Sequence, residues 1–437
     1  MKLKKRPRVF CLDNSGIIHL ATLREGKSNI FRLSVTLKDT VQPELLQEGM
    51  NAVTPRFPML VAGIRSTIFR FLVVAVKTPP EVQPDKHPLA FMPLREIRKC
   101  AMRVLYSEKE VAVEFFHSLT DGYGGFAFLK ALLAEYFKRL HGIDCSESEE
   151  ILTPEQFPMP EETTDSFLDY AGEKKAAFNG VQSYLPGEHM PDADLQTTTG
   201  IFEVQELLGA SHRFGVSLTT FLTAVMAKSL MEVQNIHKKL DDKLKPVQIM
   251  VPVNLRKKFP SKTLRNFSLY ALPCIQQTDM KLPFEKLVRR IDSQLKDQFT
   301  NDNLAAMMAT NAQLDRNWFL RILPLSVKCT ALRIGSYFLG ERNSSLTLSN
   351  LGDMKFPKEM QNRIEKVGVF LSARTRSPYN CGAISYNGRL YFNFSRKSNT
   401  PELEPVFFRN LHALGCIPEL EVDGLPVNME HYLSTSW

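Results

Sequence analysis

At 437 residues, 43% of them hydrophobic, the chain is too long for one ordinary core, and about two or three domains are expected from the usual ~100–200 residues each. No run reaches the ~18 apolar residues of a membrane-spanning helix, and the basic start Met1-Lys-Leu-Lys-Lys-Arg-Pro-Arg8 leads to Asp13 and Asn14 rather than to an apolar signal core, so a cytoplasmic protein is expected. The net charge of +8 is dispersed and accompanied by no recognisable nucleic-acid module, which argues against nucleic acid and leaves a solvated surface or attraction of an anionic small ligand. Seven cysteines without a Cys-x-x-Cys pair and nine histidines without a His-x-x-x-His or His-Glu-x-x-His pattern point to no disulfide framework, buried reduced thiols and no metal.

In chain order, Ile17-Ile-His-Leu20, Asn29-Ile-Phe-Arg-Leu-Ser-Val35 and Phe69-Arg-Phe-Leu-Val-Val-Ala-Val76 read as strands, with a helix beginning over Pro43 to Met50. In Val111-Ala-Val-Glu-Phe-Phe116, Val111, Val113 and Phe115 share one face, the pattern of a buried strand that ends at His117. Phe126, Leu129, Leu133, Phe137 and Leu140 then recur at helical spacing, with Lys130, Glu135, Lys138 and Arg139 on the other face and Gly142 at the end.

Residues 143–195 break this regularity. The acidic Ser146-Glu-Ser-Glu-Glu150 and Pro154, Pro158, Pro160, Pro186 and Pro191 mark a long crossover, with one amphipathic helical piece around Phe167 to Phe178. Beyond it, Gly200-Ile-Phe-Glu-Val204 reads as a strand, and Ser217 caps a helix over Leu218 to Val233. Lys245 to Val251, Leu346 to Leu348 and Val367 to Leu371 are further strands, and Asn387-Gly388 joins Ala383-Ile-Ser385 to Leu390-Tyr-Phe-Asn-Phe394 as a type I′ hairpin turn. The apolar stretch Trp318 to Leu339, interspersed with Arg321, Lys328 and Arg333, reads as a core helix pair in preference to a basic helix lying on a membrane surface. The fold class is α/β with mixed sheets, in two halves: 1–190 with the crossover, and 191–437.

Chemistry concentrates in His117-Ser-Leu-Thr-Asp-Gly122. An imidazole with a solution pKa near about 6.5 suits removal of a proton from an alcohol, amine or thiol attacking a carbonyl. Asp121 is badly placed to be a second proton acceptor and well placed to hold the turn, its natural partner being an arginine from elsewhere. Gly122 lets a substrate arm pass close to the chain.

With this motif the chain resembles the chloramphenicol acetyltransferase-like acyltransferase superfamily, which includes alcohol acetyltransferases and condensation domains. Val251-Pro-Val-Asn-Leu-Arg256 resembles a strand-end segment of that superfamily's second half, and Leu348-Ser-Asn-Leu-Gly352 resembles its Ser-Asn turn. The resemblance implies two α/β subdomains meeting along an active-site tunnel. It implies acyl-CoA as cosubstrate, no permanently bound cofactor and a small-molecule alcohol as acceptor.

Residue by residue, it implies that His117 is the general base, that Asp121 pairs with Arg256, and that Ser349 or Asn350 donates to the oxyanion. Lys257 and Lys258 would meet CoA phosphates, although the basic run Arg256-Lys-Lys258 also reads as a solvated face and Ser349-Asn-Leu-Gly352 as a plain turn. Phe116 stands where peptide-forming condensation domains carry a second histidine, and the Asp-Phe-Gly-Trp-Gly motif of plant relatives is absent, the tryptophans being Trp318 and Trp437. The microbial alcohol acetyltransferase-like branch fits best. An acyl carrier protein as bearer of the donor, and a non-catalytic member that binds an acyl ligand, stand as alternatives.

Overall fold

The structure, a computed structural model, describes residues 8–24, 28–173, 182–187, 190, 195–238, 243–312, 317–318, 322–336, 343–373, 378–398 and 400–434. The expectations that touch Phe178, Pro191, Arg321, Leu339 and Trp437 lie outside the described residues.

A five-stranded sheet runs Ile364–Leu371, Ile30–Leu37, Glu110–Phe116, Met102–Tyr106, Gln83–Pro84. Its neighbours are antiparallel except at the Gln83–Pro84 edge. Strand 110–116 is central, and the register Ile30 to Phe116, Leu33 to Val113 and Val35 to Val111 stacks apolar pairs. The expected buried face is present, and the opposite face is buried as well: Glu114 there accepts from Arg32 and Arg103. Burying Phe115 completely contributes roughly 1.5–3 kcal/mol, so the strand that ends at His117 is held by core packing on both sides.

The larger sheet runs Ser268–Ala271, Val247–Asn254, Leu346–Asp353, Tyr379–Tyr386, Arg389–Arg396, Gln196–Glu203, Glu419–Val422, Leu425–Val427, with Cys274–Ile275 also pairing to 247–254. Strands 247–254, 346–353 and 379–386 are mutually parallel; the rest pair antiparallel. Asn387 at φ 48° and Gly388 at φ 79° make the expected hairpin turn. The helix Leu218–His237 lies against this sheet, and its cap Ser217 accepts from the Thr220 N–H. A small sheet of Val9–Cys11, Phe71–Ala75 and Ala62–Ser66 completes the fold.

The two halves interlock. Strand 364–371 belongs by sequence to the second half, yet it completes the sheet of the first by pairing with strand 30–37. The division expected between 190 and 191 is therefore crossed by the chain in space.

Four expectations change. Ile17 to Leu20 is not a strand but part of the helix Asn14–Ala21: the Asp13 carboxylate accepts from the Gly16 N–H at 2.6 Å, and this cap plus burial of Ile17, Leu20 and Ala21 on one face outweighs β-branching. The crossover helix is shorter than expected, Ser166–Tyr170. In the Trp318 to Leu339 segment the described helix Leu325–Ser336 is not a core helix: Leu325 is buried, whereas Val327 and Ile334 are 49% and 56% exposed. That helix rests one side against helix 14–21. Of the seven cysteines, Cys145, Cys381 and Cys416 are buried, Cys11 is exposed, and the others lie between. Among the described residues, no single helix is long and apolar enough to cross a membrane.

Candidate active site

His117 stands one residue past the end of strand 110–116, where its N–H donates to the Asn29 carbonyl at 2.9 Å. Asn266 grips it twice. The Asn266 Nδ2 donates to the His117 carbonyl at 2.7 Å, and the Asn266 Oδ1 lies 3.1 Å from Nδ1 of the ring. The first bond fixes which end of the amide is oxygen, so Nδ1 must carry the proton and Nε2 keeps its lone pair. Desolvation lowers the His117 pKa from 6.5, opposed by the histidine's own carbonyl, by the Asp121 charge and by Asn266. The arrangement is that of a neutral imidazole with a basic Nε2.

Asp121 is the N-cap of the helix Gly122–His141. Its Oδ1 accepts from the N–H groups of Tyr123 and Gly124, at 3.1 and 3.3 Å. Its Oδ2 accepts from Arg256 Nη1 at 2.7 Å and from the Phe267 N–H at 2.9 Å. All four bonds hold the turn between His117 and the helix.

Arg256 comes from the short 3-10 turn Leu255–Lys257 that follows strand 247–254. Besides Asp121, its guanidinium donates to the Thr263 and Arg265 carbonyls and to Asn254 Oδ1. It also lies over the Tyr123 ring, 4.4 Å from the centroid. Lys257 and Lys258 diverge from it: both are exposed, and Lys258 Nζ is 3.4 Å from Asn301 Oδ1.

The segment 263–267 is the seam between the halves. Thr120 Oγ1 donates to the Leu264 carbonyl at 2.6 Å, and a Cβ on Gly124 would stand 2.2 Å from that same oxygen. Glycine is required there because backbone passes over the first turn of the helix. The sequence offered no spacing signal for Asn266 or Leu264; their roles arise only when this segment crosses the His117 turn.

The end of strand 346–353 reaches the same turn. A Cβ on Gly122 would lie 2.8 Å from Leu351 Cδ2, so the space beside Gly122 is bordered by Leu351. Ser349 is nearly buried and pairs in register with Gly382. Asn350 is engaged otherwise: its Nδ2 donates to Thr219 Oγ1 at 3.1 Å and its Oδ1 accepts from the Gly352 N–H at 2.9 Å. The structure thus gathers Asp121, Gly122 and Arg256 around the turn that carries His117, brings Leu351 of the Ser-Asn segment to it, ties Asn350 to the helix at 218–237, and leaves Lys257 and Lys258 at the surface.

Neither a family model nor a curated protein sequence matches the chain. Solved structures do. Polyketide synthase associated protein 5 from Mycobacterium tuberculosis superposes with a TM-score of 0.57 at 13% identity, covering 93% of this chain and 96% of that one. F. sporotrichioides TRI101 complexed with coenzyme A and T-2 gives 0.62 at 13% identity, covering 93% and 97%. The starter condensation domain of rhizomide synthetase RzmA gives 0.52 at 11% identity, covering 93% and 96%. These similarities span almost the whole of each partner. They define the class of fold: the two-subdomain α/β fold of chloramphenicol acetyltransferase-like acyltransferases and condensation domains. At such identities the likeness concerns the fold, and the chemistry has to be argued from this chain's own residues.

Proposed function

We propose that the protein is an acyltransferase that moves an acyl group from acyl-CoA to the hydroxyl of a small alcohol. The observation that carries this reading is the Asn266 grip on His117, which leaves Nε2 as a free base at the seam of the two halves. The similarity to a protein complexed with coenzyme A supports a CoA thioester as donor.

In the proposed reaction His117 Nε2 takes the hydroxyl proton as the oxygen attacks the thioester carbonyl. A tetrahedral intermediate forms, its carbon–sulfur bond breaks, and the imidazolium returns the proton to the departing thiolate. No acyl-enzyme is needed. Asp121 and Arg256 keep the turn in place from outside the reaction.

Ser349 suits oxyanion donation better than Asn350, whose amide is already engaged with Thr219 and Gly352. Such a donor is worth about 2.7–4 kcal/mol. Lys257 and Lys258, exposed beside Arg256, are proposed contacts for the CoA phosphates.

The test is thiol release from acetyl-CoA and longer acyl-CoAs with a panel of alcohols, amines and thiols, comparing wild type with His117→Ala. Alcohol-dependent release that falls by about 10²–10⁴ in the variant is expected. Full activity in His117→Ala would end the proposal. Release with carrier-loaded donors alone would make an acyl carrier protein the partner, and ligand binding without release would mark a non-catalytic acyl-binding protein.

A further inference from the structure

Phe116 occupies the position before His117, yet a second imidazole reaches the site from the start of the chain. His19, on helix 14–21, stacks on His117 with ring centroids 4.7 Å apart and planes 12° from parallel. Phe31 meets the His117 ring at 5.0 Å and 59°.

Helix 14–21 is fastened to the same elements that fasten His117. Its cap Asp13 accepts from Arg265 Nη2 at 2.9 Å and Nε at 3.1 Å, inside a nearly buried pair. Ser118, next to His117, donates from Oγ to the Gly16 carbonyl at 2.7 Å. Asn29, whose carbonyl receives the His117 N–H, donates from Nδ2 to the His19 carbonyl at 2.9 Å. Arg265 and Asn266 are adjacent, so one segment fixes the helix that carries His19 and the ring of His117 together.

We propose that His19 is a positioning residue for His117, acting through the stacked ring face. The inference rests on the reading of His117 as general base. Asn266 anchors one edge of the imidazole, but rotation about the Cβ–Cγ bond is soft for an sp³–sp² torsion. A parallel ring against the face opposes that rotation and keeps Nε2 aimed at the acceptor. Loss of aim in a preorganised site lowers turnover while leaving substrate binding in place.

The experiment compares His19→Ala, His19→Leu and His19→Phe in the full chain, beside His117→Ala, in the thiol-release assay. Phe keeps a planar face without ring nitrogens, and Leu keeps apolar volume without a face. For Ala and Leu, kcat is expected to fall about 10–100-fold, with KM for both substrates within about twofold. Phe is expected to restore kcat to within about threefold, because stacking needs only the ring face. In the His117→Ala background the His19 substitutions are expected to change the residual rate by less than about twofold.

Wild-type kcat in His19→Leu would overturn the proposal, and so would a His19→Phe variant as impaired as His19→Leu. If His19→Ala does not fold, the Leu and Phe pair decides. Loss of activity in His117→Ala with normal activity in the His19 variants would sink only the role of His19, whereas normal activity in His117→Ala would sink the reading of His117 itself.

Discussion

Arg256 Nη1 and Asp121 Oδ2 stand 2.7 Å apart with both side chains nearly buried, and this contact joins the turn after His117 to the strand end of the other half. The remaining N–H groups of the guanidinium go to carbonyls at Thr263 and Arg265 and to Asn254, so the pair is a hydrogen-bonded hub. Buried ions are costly when left alone and tolerable only when satisfied in this way.

Removing one partner should therefore cost more than the pair is worth. Arg256→Ala is expected to destabilise the fold by about 3–5 kcal/mol, read as a lower urea midpoint at unchanged m-value. Arg256→Lys retains the charge but lacks the planar fork, and its stability should fall between the two. A double variant Asp121→Ala/Arg256→Ala less unstable than the sum of the single ones is expected from the shared network; simple additivity would contradict it.

The pH dependence follows from the direction of the His117 shift. Burial lowers its pKa from 6.5, so the ring stays neutral and basic to more acidic pH than an exposed histidine. The acidic limb of kcat/KM for thiol release is expected to have its midpoint below 6.5 and to vanish from the residual activity of His117→Ala. The linked stability has the same sense: the native state disfavours the proton, so its contribution is complete above the unfolded value and is lost as pH falls through the unfolded value towards the folded one. An acidic limb above 6.5 would contradict the burial argument.

Asn266 offers a sharper test because its two bonds set the tautomer. Asn266→Ala removes a contact that raises the His117 pKa, so the acidic limb should move further down while kcat drops by about 10-fold or more through loss of orientation. Asn266→Asp places a negative charge beside Nδ1 and should move the limb up. The two variants shifting the limb in the same direction would show that Asn266 does not act on Nδ1.

Gly124→Ala tests the seam mechanically. Its Cβ would meet the Leu264 carbonyl oxygen and Thr120 Oγ1, each at 2.2 Å, and the Leu264 backbone leaves little room to yield. A loss of about 1–3 kcal/mol is expected from overpacking, seen as a lower Tm. An unchanged Tm would mean that segment 263–267 does not press on the helix.

Several elements could be read along the chain because their causes are local. The alternation of Val111, Val113 and Phe115 and the periodicity from Phe126 to Leu140 gave a strand and a helix around His117 whatever the rest of the chain did. The Asn387-Gly388 turn is likewise set by a few neighbouring residues. Ile17 to Leu20 misled because four apolar or aromatic residues fit either period, and the deciding bond comes from Asp13 outside the string. The helix 325–336 misled for a different reason: its apolar residues lie on more than one side, and composition does not say which side receives a neighbour.

The sequence by itself determined that a histidine ends a core strand four residues before an aspartate placed to hold the turn into the next helix, since strand, turn and helix are short-range consequences of residue type. Tertiary structure alone decided which distant groups meet there. Asn266 on Nδ1, Leu351 beside Gly122 and His19 on the ring face are all separated from the motif by long stretches of chain. Each contact is enforced by burial and hydrogen-bond satisfaction at the seam where the two halves close, and neither leaves a period or spacing in the sequence.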